Sequence, residues 1–97
     1  MLRRRYLAAY DIRDEKRLRL VHKTMKEFGF PMQYSVFICD LDASEKITFK
    51  MKVLPLMDQR ADSLVLVDLG DPSTRGLECF EFLGTSLPLP KGGPGIV

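Results

Sequence analysis

Tyr6-Leu7-Ala8-Ala9-Tyr10-Asp11-Ile12 is an apolar run that closes on an acid, and the stretch behind it, Asp14 to Gly29, interleaves cations with apolar residues at helical spacing. A strand of this kind carries Asp11 to the rim of a sheet, where a metal ion or a phosphate can reach it. Asp14 is placed to cap the helix that follows, and Glu15 in the first turn complements the helix dipole. Leu18, Val21, Met25 and Phe28 recur at spacings of three and four and draw one apolar face, which Gly29 ends. Lys16, Arg19, Lys23 and Lys26 recur at the same spacings, two residues or about 200° away. The helix is therefore core on one side and cationic on the other.

Further along, Met32 to Leu41 reads as a strand with Met32, Tyr34, Val36 and Ile38 on one face and Gln33, Ser35, Phe37 and Cys39 on the other. Neither face is fully polar, so one is expected under helices and the other against a partner chain. The strand is also long enough to bend or break. Asp42 with Glu45 forms a capping pair that opens a second helix, for which Ile47, Met51, Leu54 and Met57 are the expected core positions. Pro55 would crowd the Met51 carbonyl, so a kink or an irregular last turn is expected there. Ser63 to Gly70 reads as a buried strand stopped by Gly70-Asp71-Pro72, and Leu77 to Leu83 as a further one. Read in order the elements give a βαβαββ-like succession, and all strands fit one antiparallel sheet with both helices on one face, an α+β arrangement. Residues 1–84 form that domain, and 85–97, rich in Pro and Gly and ending on Ile96-Val97, an extended arm.

Composition narrows the setting. Ninety-seven residues, 45% hydrophobic and 29% charged, make one small domain whose limited core favours an oligomer, and a homodimer is expected. No run is long enough to cross a membrane, which points to the cytoplasm. Cys39 and Cys79 have no ligand-like spacing and read as two buried free thiols. The net charge of +2 conceals a polarity: residues 1–30 carry +5 and residues 61–97 carry −3. A surface meeting a polyanion at one end would use such a distribution.

Tyr10-Asp11-Ile12, then Asp14 and Arg17, the Gly29 turn and Gln33-Tyr34-Ser35-Val36-Phe37, in this order and in a chain this short, resemble the Cas-two family, the small CRISPR-associated protein of spacer acquisition. The resemblance weakens beyond residue 70. It implies a ferredoxin-like dimer in which a C-terminal strand can pair across the two-fold axis. It also implies a nucleic-acid-binding scaffold that bridges copies of the Cas-one integrase and holds DNA for insertion. Members are described as metal-dependent endonucleases acting on RNA or DNA as well. Relatives usually have Arg two residues before the Gln and an acid after the Phe; here those positions are Pro31 and Ile38, so no contact of that Arg carries over.

Each candidate for chemistry has a plainer reading beside it. Asp11, as catalytic residue and metal ligand, suits Mg2+ or Mn2+, since magnesium takes one or two carboxylates and keeps its waters, and a two-fold axis can bring two copies together. Alternatively Asp11 caps its own turn. Asp14 is a second ligand or a helix cap, and capping is favoured. Arg13, Lys16, Arg17, Arg19 and Lys23 are the expected nucleic-acid contacts, joined by Arg3-Arg4-Arg5, unless the stripe is merely solvated. Tyr10, Ser35 and Phe37 are assigned supporting roles. Tyr10, Tyr34 and Phe37 can stack on bases but are more often core, His22 has no ligand partner nearby, and Ser35 lacks the His and acid of a triad. Two other functions fit the same fold: a stand-alone, toxin-like endoribonuclease, and an RNA or small-molecule binding module. Against the RNA-recognition version, Leu64-Val65-Leu66-Val67 has no aromatics.

Overall fold

The computed structural model describes residues 2–85 and 88–90. Strand β1 (Arg4–Asp11) leads into helix α1 (Glu15–Phe28), then β2 (Phe30–Gln33), β3 (Val36–Leu41), helix α2 (Ala43–Val53), strand β4 (Ser63–Gly70) and a single turn, α3 (Arg75–Glu78). The strands form one antiparallel sheet in the order β2-β3-β1-β4. With α1 and α2 as the crossovers, this is the ferredoxin-like βαββαβ arrangement that the resemblance implies, in place of the βαβαββ-like order read along the chain.

Alternation along β1 sorts its side chains between the two faces of the sheet. Tyr6, Ala8 and Tyr10 are buried with Phe37, Cys39 and Leu41 of β3, Val21 and Met25 of α1, and Phe49 and Val53 of α2. Arg5, Leu7, Ala9 and Asp11 belong to the opposite, open face. Helix α1 begins as its sequence dictates, with the Asp14 carboxylate accepting from the Arg17 amide at 2.9 Å. At its other end Gly29 is extended and has no room for a side chain: a Cβ would lie 2.6 Å from Cys39 Sγ and 2.7 Å from the Ile38 carbonyl oxygen. Burial pushes the Cys39 thiol up to about 12.

Four expectations are corrected. The run from Met32 to Leu41 is not one strand but a hairpin that turns at Tyr34-Ser35, with Gln33 opposite Val36 and a register shift at Pro31. Helix α2 buries Phe49 and Val53, whereas Ile47, Met51 and Leu54 are 61%, 71% and 48% exposed; Met57 does pack partly on the core. The helix is apolar on two faces about 200° apart, and Phe49 decides the phase by packing edge-to-face on Phe28 with 5.4 Å between ring centres. Its capping box is as expected, and Pro55 falls in a terminal 3-10 turn, Leu54–Leu56. Finally, Leu77 to Leu83 contains no strand: the Asp71 carbonyl accepts from the Thr74 and Gly76 amides, winding the chain into α3. Cys79 closes that turn and is exposed rather than buried. The expected arm lies largely outside the described residues.

The phase of α2 can be checked by stability. Val53→Ala should cost about 2 kcal/mol through lost burial and a residual cavity. Met51→Ala, on the solvent face, should stay within about 0.5 kcal/mol. Chemical denaturation compares the two directly, and equal losses would put the core on the wrong face of α2.

Candidate metal and nucleic-acid site

Asp11 is the last residue of β1, opposite Ser63 of β4. Its side chain is 66% exposed, and its one ion pair among the described residues is a long contact of 3.7 Å with Arg13, itself exposed. A pair so placed is screened by water and worth little. No hydrogen bond to its carboxylate is formed among the described residues, so Asp11 is not spent on capping its own turn. Asp14 is spent, at the N-terminus of α1.

Among the described residues no group of three His, Cys, Asp or Glu side chains is placed to hold a metal. At the rim of the sheet one protomer offers Asp11 as an exposed carboxylate that accepts no hydrogen bond among the described residues. Hard oxygen and no soft donor suits magnesium or manganese retaining most of their waters, with a second copy needed for a paired site.

The residues around Asp11 in sequence are structural. The Tyr10 hydroxyl lies 2.8 Å from His22 Nδ1 and 3.4 Å from the Tyr34 carbonyl oxygen, and burial pushes its pKa up to about 12. The Tyr10 amide donates to the Ser35 carbonyl at 3.1 Å, which ties the end of β1 to the hairpin turn. Phe37 is fully buried, with His22 edge-on at 5.5 Å. Tyr10 and Phe37 thus brace the strand and cannot stack on bases. Tyr34 differs: it is 67% exposed and lies parallel to the His22 ring at 5.2 Å.

The cations divide sharply. Lys16, Arg19, Lys23 and Lys26 all face solvent on α1; among the described residues only Arg19 has an acidic partner, Glu15 at 3.6 Å. Arg3, Arg4 and Arg5 do not extend this surface as expected. Arg3 binds Glu45 through two bonds of 2.9 and 2.8 Å, Arg4 grips Asp68, and Arg5 is fully buried against Asp40. Burial would strand the Arg5 charge without Asp40, whereas the Arg3 and Arg4 pairs are part-exposed and exposed contacts that still engage their guanidiniums.

Arg17 is likewise withdrawn from the expected nucleic-acid contacts. Its Nε donates to Asp62 Oδ2 at 2.8 Å and its Nη2 to Oδ1 at 3.2 Å. The Asp62 side chain is fully buried and also accepts from the backbone amides of Arg13 at 2.8 Å and Asp58 at 2.9 Å. The Arg17 guanidinium, followed by the two amides, holds the Asp62 carboxyl well below the usual carboxylate range. Asp62 escapes sequence reading because Asp58-Gln59-Arg60-Ala61-Asp62 looks like an ordinary polar loop; apart from the Asp58 amide, its partners Arg17 and Arg13 are 45 and 49 residues away.

In sequence and in fold the chain is similar to known proteins. The family model for CRISPR associated protein Cas2 matches residues 4–75. The chain is 45% identical over 65 residues to a CRISPR-associated endoribonuclease Cas2 of Rhodospirillum rubrum, covering 67% of this chain and 64% of that protein. A second, from Thermodesulfovibrio yellowstonii, is 42% identical over 86 residues, covering 77% of this chain and 94% of the relative. The crystal structure of Streptococcus pyogenes Cas2 superposes with a TM-score of 0.70 at 32% identity, covering 82% of this chain and 99% of that one.

Proposed function

Because this chain belongs to the CRISPR associated protein Cas2 family, the Cas-two family of the sequence resemblance, we propose that it serves spacer acquisition as a dimeric nucleic-acid-binding scaffold for the Cas-one integrase. It carries in addition a divalent-metal endonuclease activity centred on Asp11. The observation that supports this best is the segregation of its cations: the arginines of β1 and Arg17 are tied to acids, while Lys16, Lys23 and Lys26 face solvent without acidic partners among the described residues. A face of unneutralised charge is what a polyanion requires, since each phosphate bound releases counterion.

A second copy of the chain suits the open side of the sheet. Val65 and Val67, opposite Ala9 and Leu7, are 54% and 44% exposed, and Asp11 stands at the rim of the same face. Two copies related by a two-fold axis would bring two Asp11 carboxylates to one edge. Magnesium, or manganese in its place, neutralises phosphodiester charge and acidifies an attacking water when bound. Asp11 supplies the anionic ligand, the α1 cations hold the strand, and buried Tyr10 and Phe37 keep the end of β1 from shifting. The relatives are named for endoribonuclease or endonuclease activity, so RNA and DNA are both substrates to be tried. No described helix is long and apolar enough to cross a membrane, and the cytoplasm, where the DNA is, is the proposed setting.

Sedimentation velocity with labelled duplex DNA tests dimer and binding together. The chain should sediment as a dimer at micromolar concentration and bind DNA with an affinity that falls steeply with salt. Reversing Lys16, Arg19 and Lys23 to Glu together should weaken binding at least about tenfold and flatten the salt slope by about two to three. A clean monomer, or unchanged affinity and slope, would overturn the scaffold reading.

A further inference from the structure

We infer that Asp62, which is not among the motif residues of the resemblance and lies away from the rim where Asp11 sits, is the positioning residue of the Asp11 site. The inference rests on the reading of Asp11 as metal ligand. The geometry is a buried carboxylate gathering three separate segments. Its oxygens accept from the Arg13 amide, two residues after Asp11; from the Arg17 guanidinium on α1; and from the Asp58 amide ahead of β4.

A single exposed carboxylate at a strand end has no hydrogen bond of its own to hold it. Its bearing is set by the backbone that follows, and that backbone is fastened at Arg13 by Asp62. The same carboxylate holds the Arg17 guanidinium, its side chain 30% exposed, against the loop before β4. A group that orients a ligand from behind is commonly worth tenfold or more in metal affinity or rate.

Asp62 touches neither metal nor substrate in this account, so its test needs readouts that a merely structural role would not move. Asp62→Ala removes all four contacts, and Asp62→Asn keeps the size and one acceptor oxygen but turns an amide nitrogen towards Arg17. Both are compared with Asp11→Asn in the full chain, by amide exchange, by Mn2+ binding in electron paramagnetic resonance, and by kcat and KM on an oligonucleotide. In the Asp62 variants the Arg13 and Asp58 amides should exchange faster while β1 and β3 stay protected. Mn2+ affinity and kcat should fall about tenfold, with KM within about twofold because the α1 cations are intact.

If Asp11→Asn loses metal binding and cleavage while the Asp62 variants keep both, only the positioning role is overturned. If Asp11→Asn keeps both, the reading of Asp11 falls and this inference with it. Should Asp62→Ala fail to fold, Asp62→Asn decides; loss of β1 and β3 protection in that isosteric variant would make Asp62 a general stabiliser and overturn the proposal.

Discussion

Asp11→Asn is expected to lower divalent-metal-dependent cleavage of an RNA or DNA oligonucleotide more than about a hundredfold, equivalent to roughly 3 kcal/mol of transition-state stabilisation. The substitution keeps the size of the side chain and removes the charge that a hard cation needs. Asp11 is 66% exposed and makes no hydrogen bond among the described residues, so folding stability should change by no more than about 0.5 kcal/mol. A collapse of rate in a variant of unaltered melting temperature would assign the loss to chemistry. Under the scaffold proposal, DNA binding and integration with the proposed integrase partner should survive, because that proposal places them on α1 rather than on the rim of the sheet. Cleavage that persists in Asp11→Asn, with its metal requirement unchanged, would remove Asp11 from the site.

The largest expected effect on stability lies on the open face. Arg5 is fully buried and bonds Asp40 through Nε and Nη2 at 2.8 and 2.9 Å, the Gly76 carbonyl at 2.9 Å and the Pro90 carbonyl at 2.8 Å. Asp40→Leu leaves that guanidinium buried without its counter-charge, which should destabilise the fold by about 3–5 kcal/mol. The double change Arg5→Met with Asp40→Leu removes both charges, and much of the loss should return, because an apolar pair of similar volume needs no desolvation. Denaturation of the four members of this cycle measures the coupling. Equal losses in the single and double variants would mean that the carbonyl contacts to Gly76 and Pro90, not the ion pair, hold this region together.

Wherever the governing interaction is local, the sequence is a sufficient guide. The Asp14 cap, the Val21 and Met25 face of α1, the Asp42 and Glu45 capping box and the bounds of β4 all depend on residues within about a turn of one another. The hairpin at Tyr34-Ser35 is hidden because Gln33-Tyr34-Ser35-Val36 contains none of the Gly, Asn or Asp residues that mark tight turns. No non-glycine residue among those described has a positive φ, so this turn does without the usual signal. In α2 two apolar stripes compete, and periodicity cannot rank them. Contact with Phe28, 21 residues away, selects Phe49 over Ile47 and Met51.

The site divides along the same line. Asp11 at the end of an apolar run and a cationic stripe on α1 are legible in one dimension, because strand ends and helix faces follow from spacing alone. Which cations remain unpaired is not legible. Arg3, Arg4, Arg5 and Arg17 look as available as Lys16 or Lys23 until folding brings Glu45, Asp68, Asp40 and Asp62 against them across 35 to 64 residues of chain. Periodicity reports what a residue's near neighbours impose; ion pairing depends on which distant segments the sheet and its crossovers place side by side. The sequence by itself determined the elements, the placement of Asp11 and the basic face. Only the tertiary structure decided which charges are paired with acids of distant segments and which are left facing solvent.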